Sequence, residues 1–186
     1  HFAFVGKVTA VRGIREMVDA IQITSEHHGS AQLSIAGSFA PAGLQDDLER
    51  QPGWQGVDFK GWCNRQEVSE MLGRARAGLV VFHPAPNHIQ AQPNKLFEYM
   101  SAGIPVIASD FPLWREIVEG VGCGLLVDPE DSTAIAEAMT WILDNPEKAA
   151  EMGERGRNAV RERLNWESEK RSLLALYDDV IGAPLA

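Results

Sequence analysis

Short apolar runs alternate along this chain with segments in which apolar residues recur every three to four positions. The runs predict strands at residues 2–5, 33–36, 57–59, 79–82, 105–108 and 124–127. The run at 79–82 is almost wholly apolar, which is typical of a strand buried on both faces of a parallel sheet.

The segments between the runs predict helices. After Gly13, four apolar residues fall on one helical face: Ile14, Met17, Val18 and Ile21. Asn64 followed by Glu67 resembles a capping box, which predicts a helix that turns Val68, Met71, Leu72 and Ala75 inward. Further helices are predicted at about residues 42–50, 93–102, 112–119, 146–163 and 166–181, and after a cap at Asp131 or Ser132.

This alternation predicts an α/β fold: a Rossmann-like, doubly wound parallel sheet of about six strands with helices on both faces. No linker or internal repeat divides residues 1–186, so we expect a single domain. The chain enters its first predicted strand directly after His1, without a cap or leader, which suggests a piece of a longer protein. Ligands of such sheets bind at the carboxyl ends of the strands, so the loops after the first four strands should carry the function.

The composition disfavours several other classes of protein. The 186 residues include 26 acidic and 17 basic ones, a net charge of −9, which disfavours a surface that coats nucleic acid. No apolar run approaches the length of a membrane span. The two cysteines, Cys63 and Cys123, form no C-x-x-C pair, which disfavours a disulfide scaffold or a zinc knuckle and fits a reducing compartment. Acidic residues concentrate between Glu116 and Glu154, so the net charge does not exclude a phosphate site elsewhere.

The loop after the first strand carries two cations, Lys7 and Arg12, at the start of a helix. It matches neither the G-x-G-x-x-G fingerprint nor a Walker A loop. Such a pair suits a phosphate group, although two solvated surface cations would give the same pattern.

A second candidate loop, residues 83–92, leads into a helix that we expect to begin at Pro93. Its first amides, those of Asn94, Lys95 and Leu96, would then be free donors at the positive end of the helix dipole. A lysine in this first turn opposes the dipole by about 0.3–1 kcal/mol, a penalty that a bound anion would reverse. The alternative is an ion pair between Lys95 and Glu98, one turn along the helix.

Several motifs in order make the chain resemble the C-terminal, donor-binding domain of GT-B glycosyltransferases, in the retaining "glycosyl transferases group 1" family (family 4). They are FVGK (4–7), RGI (12–14), SIAG (34–37), VDFKGW (57–62), PNKLFEYMSAGIPVIAS (93–109), CGLLVDP (123–129) and NWE (165–167). The resemblance runs from Phe4 to about Tyr177 and implies the C-terminal half of a GT-B fold.

The resemblance also implies roles for single residues. Lys7, which follows Gly6, and Arg12 would hold the pyrophosphate of the donor and stabilise the charge of the leaving group. Glu98 matches the family glutamate that contacts the ribose hydroxyls. Gln90 stands where relatives carry a glutamate near the reacting sugar, so it keeps a hydrogen-bonding amide and loses the charge.

The remaining implied contacts concern the phosphates and the nucleobase. Asn94, Lys95 and Leu96 would face the phosphates, and the backbone around Gly61 and Trp62 would hold the nucleobase. Trp62 could stack on the base or pack half-buried against the protein. His83 and His88 have no Cys, Asp or Glu beside them at metal-ligand spacing, so no metal site is expected. This is consistent with metal-independent GT-B chemistry.

The expected function is therefore donor binding in an enzyme that moves a hexosyl-type sugar from a nucleotide diphosphate sugar, such as a UDP-sugar, with retention. No cofactor is expected. The resemblance implies an N-terminal acceptor domain that this chain lacks, an acceptor glycan or lipid-linked glycan as in polysaccharide biosynthesis, and no nucleic acid partner. It also implies a cytoplasmic enzyme, either free or peripheral at the inner membrane surface through the absent domain, with no transfer by this chain alone. The alternatives are a GT-B-like epimerase or phosphorylase half and a non-catalytic nucleotide-sugar-binding module.

Overall fold

A computed structural model describes residues 1–182 and contains a parallel sheet at the centre of the molecule. Its strands are β1 (Phe2–Val5), β2 (Leu33–Ala36), β3 (Val57–Gly61), β4 (Ala77–Val80), β5 (Val106–Ser109) and β6 (Gly124–Val127). They lie in the order β3-β2-β1-β4-β5-β6, and every neighbouring pair is parallel. This is the strand order of a doubly wound nucleotide-binding sheet, whose direction of winding reverses between β1 and β4.

Helices connect the strands and cover both faces of the sheet. They are α1 (Ile14–His27), α2 (Gly43–Glu49), α3 (Arg65–Leu72), α4 (Pro86–Ile89), α5 (Asn94–Ala102), α6 (Pro112–Val121), α7 (Ser132–Asp144), α8 (Pro146–Glu162) and α9 (Trp166–Ile181). Short 3-10 turns lie at Ala10–Arg12 and Pro52–Gly56.

Each face of the sheet carries its own apolar core. On one face, Phe2 and Phe4 of β1 pack with residues of α1 and α7, among them Met17 and Met139. On the other face, Ala3 of β1 and residues of β4 and β5 pack with α3, α5 and α6. Successive residues of a strand point to opposite faces, which is why neighbours in β1 belong to different cores. The predicted doubly wound α/β fold is confirmed.

The local signals are confirmed in detail at two helix starts. The Asn64 side chain accepts hydrogen bonds from the amides of Gln66 and Glu67, and the Glu67 carboxylate accepts one from the Asn64 amide. Of the two candidate caps of α7, the structure uses Asp131, whose carboxylate accepts from Thr133 and Ala134.

Two predicted boundaries near the β4 loop were wrong. β4 ends at Val80 and not at Phe82, so the buried Phe82 side chain belongs to the loop and not to the strand. Pro93 is the N-cap residue of α5 and not its first helical residue. The loop itself contains the short helix α4, which the sequence pattern did not predict.

The last helix, α9, has no buried residue, a property that it shares only with the one-turn helix α4 among the described helices. It exposes large apolar side chains that include Trp166, Leu176 and Val180. Within residues 1–182, no helix combines the length and the apolar character that crossing a membrane requires. The predicted frayed tail at residues 183–186 lies outside the described residues.

Candidate functional site

The candidate site lies where β1 and β4 separate at the carboxyl edge of the sheet. The two strands pair only through Phe2 with Ala77 and Ala3 with Gly78. Beyond that point, the Tyr99 side chain of α5 fills the gap, with its ring against Gly78 and its hydroxyl bonded to Val5. In doubly wound sheets this point is the usual ligand crevice.

Lys95 reaches into the crevice from the first turn of α5. The residue is only 8% exposed, and its Nζ has no hydrogen-bond partner among the residues that the structure describes. The Nζ atom lies 4.1 Å from the centroid of the Phe4 ring and 4.8 Å from that of Phe82. The predicted alternative, an ion pair between Lys95 and Glu98, is therefore not formed.

Burial changes the acid–base chemistry of Lys95. The loss of solvent and, to a smaller extent, the positive charge of Arg12 lower the pKa of the ammonium from its ordinary 10.5 to about 7, while Glu98 acts in the opposite direction. A buried amine with no acceptor nearby is costly in a native structure, so its presence calls for a functional explanation.

The start of α5 presents further donors beside this lysine. The amides of Asn94 and Lys95 have no hydrogen-bond partner within residues 1–182. The Leu96 amide, predicted to be free, instead donates to the Pro93 carbonyl at 3.0 Å, because Pro93 caps the helix. Two free amides and not three therefore point from this helix end.

The loop after β1 brings a second cation to the same place. Gly6 has φ +123°, and a side chain added there would meet Lys95 Nζ at 3.4 Å and Arg12 Nη1 at 3.9 Å. Arg12 donates from Nη1 to the Lys7 carbonyl at 3.1 Å, and its guanidinium lies 5.3 Å from the centroid of the Phe82 ring. The Lys7 side chain is exposed. Gly6, Arg12 and Lys95 thus meet in space, as the predicted phosphate site requires.

Phe82 is the residue that sequence reasoning missed. Its buried ring contacts both cations and also lies 4.9 Å from the His88 ring and 5.6 Å from the Trp114 ring, centroid to centroid. An aromatic residue that closely follows a buried strand could have indicated a part of the site. The apolar run of residues 79–82 instead led to the prediction that Phe82 lies in the strand.

A match over residues 1–159 to the sequence model described as "Glycosyl transferases group 1" identifies the family. The chain belongs to this family. A phosphatidyl-myo-inositol mannosyltransferase of Mycobacterium leprae is 28% identical over 181 residues, which are 95% of this chain and 46% of that protein. An MMP alpha-(1->4)-mannosyltransferase of Mycolicibacterium hassiacum is 31% identical over 152 residues, 81% of this chain and 36% of that protein. The chain thus spans less than half the length of these curated relatives.

Solved structures agree with the family at the level of the fold. The C-terminal domain of the group 1 protein LpcC from Francisella tularensis superposes with a TM-score of 0.76 at 17% identity and covers 89% of this chain and 87% of that one. The Anabaena protein HepE, solved in complex with UDP, superposes with a TM-score of 0.78 at 17% identity, over 95% of this chain and 48% of that one. The chain has the fold of the C-terminal half of a GT-B glycosyltransferase.

Within this group 1 domain, Gln90 is not among the residues that contact Arg12 or Lys95 in the described part of the chain. It follows α4 as an exposed residue, and its side chain makes no hydrogen bond to any residue in the described part of the chain. The loop that carries Gln90 is held by α6, because the Trp114 indole of that helix donates a hydrogen bond to the Ala91 carbonyl at 2.6 Å. His88 Nδ1 lies 3.0 Å from the His83 carbonyl oxygen and braces the same loop.

On the other side of α5, Glu98 borders a cavity of about 620 Å³ between α3 and α5, together with Val5, Cys63 and Asn64. Gly61 ends β3 with φ +67° and accepts a hydrogen bond from the Gly37 amide at 2.7 Å. Trp62 is 80% exposed, so the half-buried packing given as its alternative was wrong. It borders a separate groove with Asp58 and Glu70 and does not line the cavity that holds Glu98.

Proposed function

We propose that this chain binds the nucleoside diphosphate part of a sugar donor for a glycosyltransferase. The observation that carries the proposal is Lys95: a buried amine with no hydrogen-bond partner within residues 1–182, beside Arg12, Gly6 and two amides at the start of α5 that are also unpaired in that part of the chain. Converging cations and unpaired amides at a helix start form a site for a phosphate group. The relatives support the sugar donor, because they are named as mannosyltransferases and a structural neighbour was solved with UDP.

The mechanism we propose is electrostatic. When the bond between the sugar and the diphosphate breaks, negative charge grows on the leaving diphosphate, and donors already in place stabilise it without reorganisation. Lys7, Arg12, Lys95 and the α5 amides supply these donors. Gln90 would hydrogen-bond to the sugar, and Glu98 would accept from the ribose hydroxyls inside the cavity beside α3. Gly61 and Trp62 would border the nucleobase.

The wider assignment rests on the family. We propose a UDP-sugar or a related hexosyl donor, transfer with retention, and an N-terminal domain in cis that binds an acceptor glycan or lipid-linked glycan. The donor is the substrate, and no metal or other cofactor enters the proposed mechanism. We expect a cytoplasmic enzyme, with membrane attachment, if any, through the N-terminal domain. Transfer by the 186-residue chain alone would contradict the need for that second domain.

The test is a binding series with UDP, GDP, ADP and CDP, followed by titration calorimetry and by thermal unfolding. A nucleotide at a hundred times its Kd should stabilise the chain by about 2.7 kcal/mol. Lys95→Met and Arg12→Met should weaken binding at least tenfold, whereas Lys170→Met, which removes an exposed cation of α9 that lies 3.9 Å from Glu167, should leave the Kd unchanged. Absence of binding by all four nucleotides, or equal losses in all three variants, would overturn the proposal.

One observation favours a second candidate, a nucleotide-sugar-binding module without catalysis. Gln90 is uncharged where the family carries a glutamate, and it is exposed in the loop after α4. Replacing Gln90 by Glu in the full-length protein separates the two possibilities. A large gain in transfer rate would indicate lost catalysis, and a loss would show that Gln90 is the residue to which this enzyme is adapted.

A further inference from the structure

The surroundings of the Lys95 amine do not stabilise a positive charge on it. Its Nζ lies over two aromatic rings, those of Phe4 and Phe82, and a hydrogen-bond acceptor for it is missing from the described residues. Ring faces attract a cation, but this attraction does not replace the hydration of an ammonium group.

The charged groups around Lys95 do not neutralise it either. On the loop after β1, the nearby Arg12 has the same sign as an ammonium. On α5 itself, Glu98 is exposed and turned toward the cavity beside α3. In the loop after β4, His88 packs on Phe82, and His83 Nε2 lies 3.1 Å from Glu16 of α1, although neither of these two atoms forms a hydrogen bond within the described residues.

A diphosphate would reverse this balance. Without a bound donor, burial and the charge of Arg12 favour the neutral amine, and the pKa of about 7 means that Lys95 is partly without its proton near neutral pH. A bound diphosphate places negative oxygens among Lys95, Arg12 and the free amides, and an opposite charge at this distance favours the ammonium form.

We propose that the binding of a nucleoside diphosphate sugar is coupled to the uptake of one proton, and that Lys95 receives it. This inference rests on the proposed function, because it concerns the same site. It adds that the site binds the donor and a proton together, so that donor affinity depends on pH in the physiological range. The proton adds to the amine nitrogen as an N–H bond and comes from the solvent.

Titration calorimetry of the 186-residue chain tests this coupling. UDP-glucose and GDP-mannose are suitable probes, because a sugar-substituted diphosphate has no phosphate ionisation near neutral pH. Titrations at one pH in buffers of different ionisation enthalpy give the number of protons taken up. We expect about half a proton per bound donor at pH 7, and nearly one at pH 8. The affinity should fall by up to about tenfold per pH unit as the pH rises above 7.

Two variants assign the proton to its residue. Lys95→Met should bind more weakly, with no proton uptake and with an affinity that no longer falls above pH 7. Lys7→Met removes an exposed cation from the same site, so it should weaken binding and keep the uptake of the parent chain. Donor binding without proton uptake, or uptake that persists in Lys95→Met, would overturn the inference and leave the proposed function intact. Failure of both probes and of the four nucleotides to bind would overturn both.

Discussion

The hydroxyl of Tyr99 accepts a hydrogen bond from the backbone amide of Val5 at 2.9 Å. Val5 is the last residue of β1, and its amide faces β4 at the point where β4 has already turned away, since their pairing ends at Ala3 and Gly78. A side-chain hydroxyl thus takes the place of a missing strand partner. The same ring covers Gly78 so closely that any side chain there would collide with it. Tyr99 therefore anchors α5 where β1 and β4 separate, and Lys95, one turn earlier on α5, meets the loop after β1 there.

Replacing Tyr99 by Phe should destabilise the fold. The change keeps the buried ring and leaves the Val5 amide without a partner, which costs about 1–3 kcal/mol for a buried backbone group. Urea unfolding followed by circular dichroism measures the loss. Tyr177→Phe is the matched control, because Tyr177 is exposed on α9 and the same change should have no effect there. Equal stability of the two variants would show that the Val5 bond does not support the crevice.

Two glycines inside helices should respond in opposite ways to the same substitution. Gly153 of α8 lies against the Gly103 carbonyl, with which an added Cβ would collide, whereas Gly120 of α6 faces open space. Gly153→Ala should therefore destabilise the fold by about 1–3 kcal/mol, because α8 would have to move away from the chain at Gly103. Gly120→Ala should stabilise by up to about 1 kcal/mol, because alanine favours the helix. Chemical denaturation measures both changes, and the same sign for both would contradict the close approach at Gly153.

The ring of Phe82 should matter for ligand binding beyond its part in the core. It contacts Arg12 and Lys95, so Phe82→Leu removes a face that orients both cations. A loss of about 1 kcal/mol, typical of one partly desolvated cation–ring contact, corresponds to about a fivefold higher Kd for the nucleotide. Phe111→Leu is the control, since Phe111 is also buried and packs on Trp114 at 4.9 Å. Calorimetry on both variants decides the matter: equal Kd values would assign Phe82 to the core alone.

Much of the architecture was predictable because local patterns and the fold agree. The face formed by Ile14, Met17, Val18 and Ile21 is fully buried, and the Asn64–Glu67 capping box forms as predicted. Hydrophobic periodicity and helix capping each act within one element, so the sequence alone is enough to predict them.

The site was predictable only in part, because its decisive properties arise between elements. Lys7 and Arg12 could be placed in one loop and Lys95 at the start of a helix, but the burial of Lys95 depends on Phe4 and Phe82, which lie 91 and 13 positions away in the chain. The exposure of Trp62 and the engagement of the Leu96 amide likewise depend on where the chain turns, which hydrophobic periodicity does not resolve.

Lys95 should also make the stability of the empty chain depend on pH. Its pKa is about 7 in the folded chain and near the ordinary 10.5 when unfolded. Between these values the unfolded chain binds a proton that the folded chain has lost, so the free energy of unfolding rises with pH, by at most about 1.4 kcal/mol per pH unit. Below pH 7 both states hold the proton, and the full cost of burying the ammonium remains.

Lys95→Met has no such group. The difference in unfolding free energy between Lys95→Met and the parent chain should therefore be largest near pH 6, in favour of methionine, and should shrink toward pH 10. Urea unfolding at a series of pH values measures this difference directly and cancels the groups that the two chains share. A difference that stays constant from about pH 6 to pH 10 would show that the buried amine keeps its ordinary protonation.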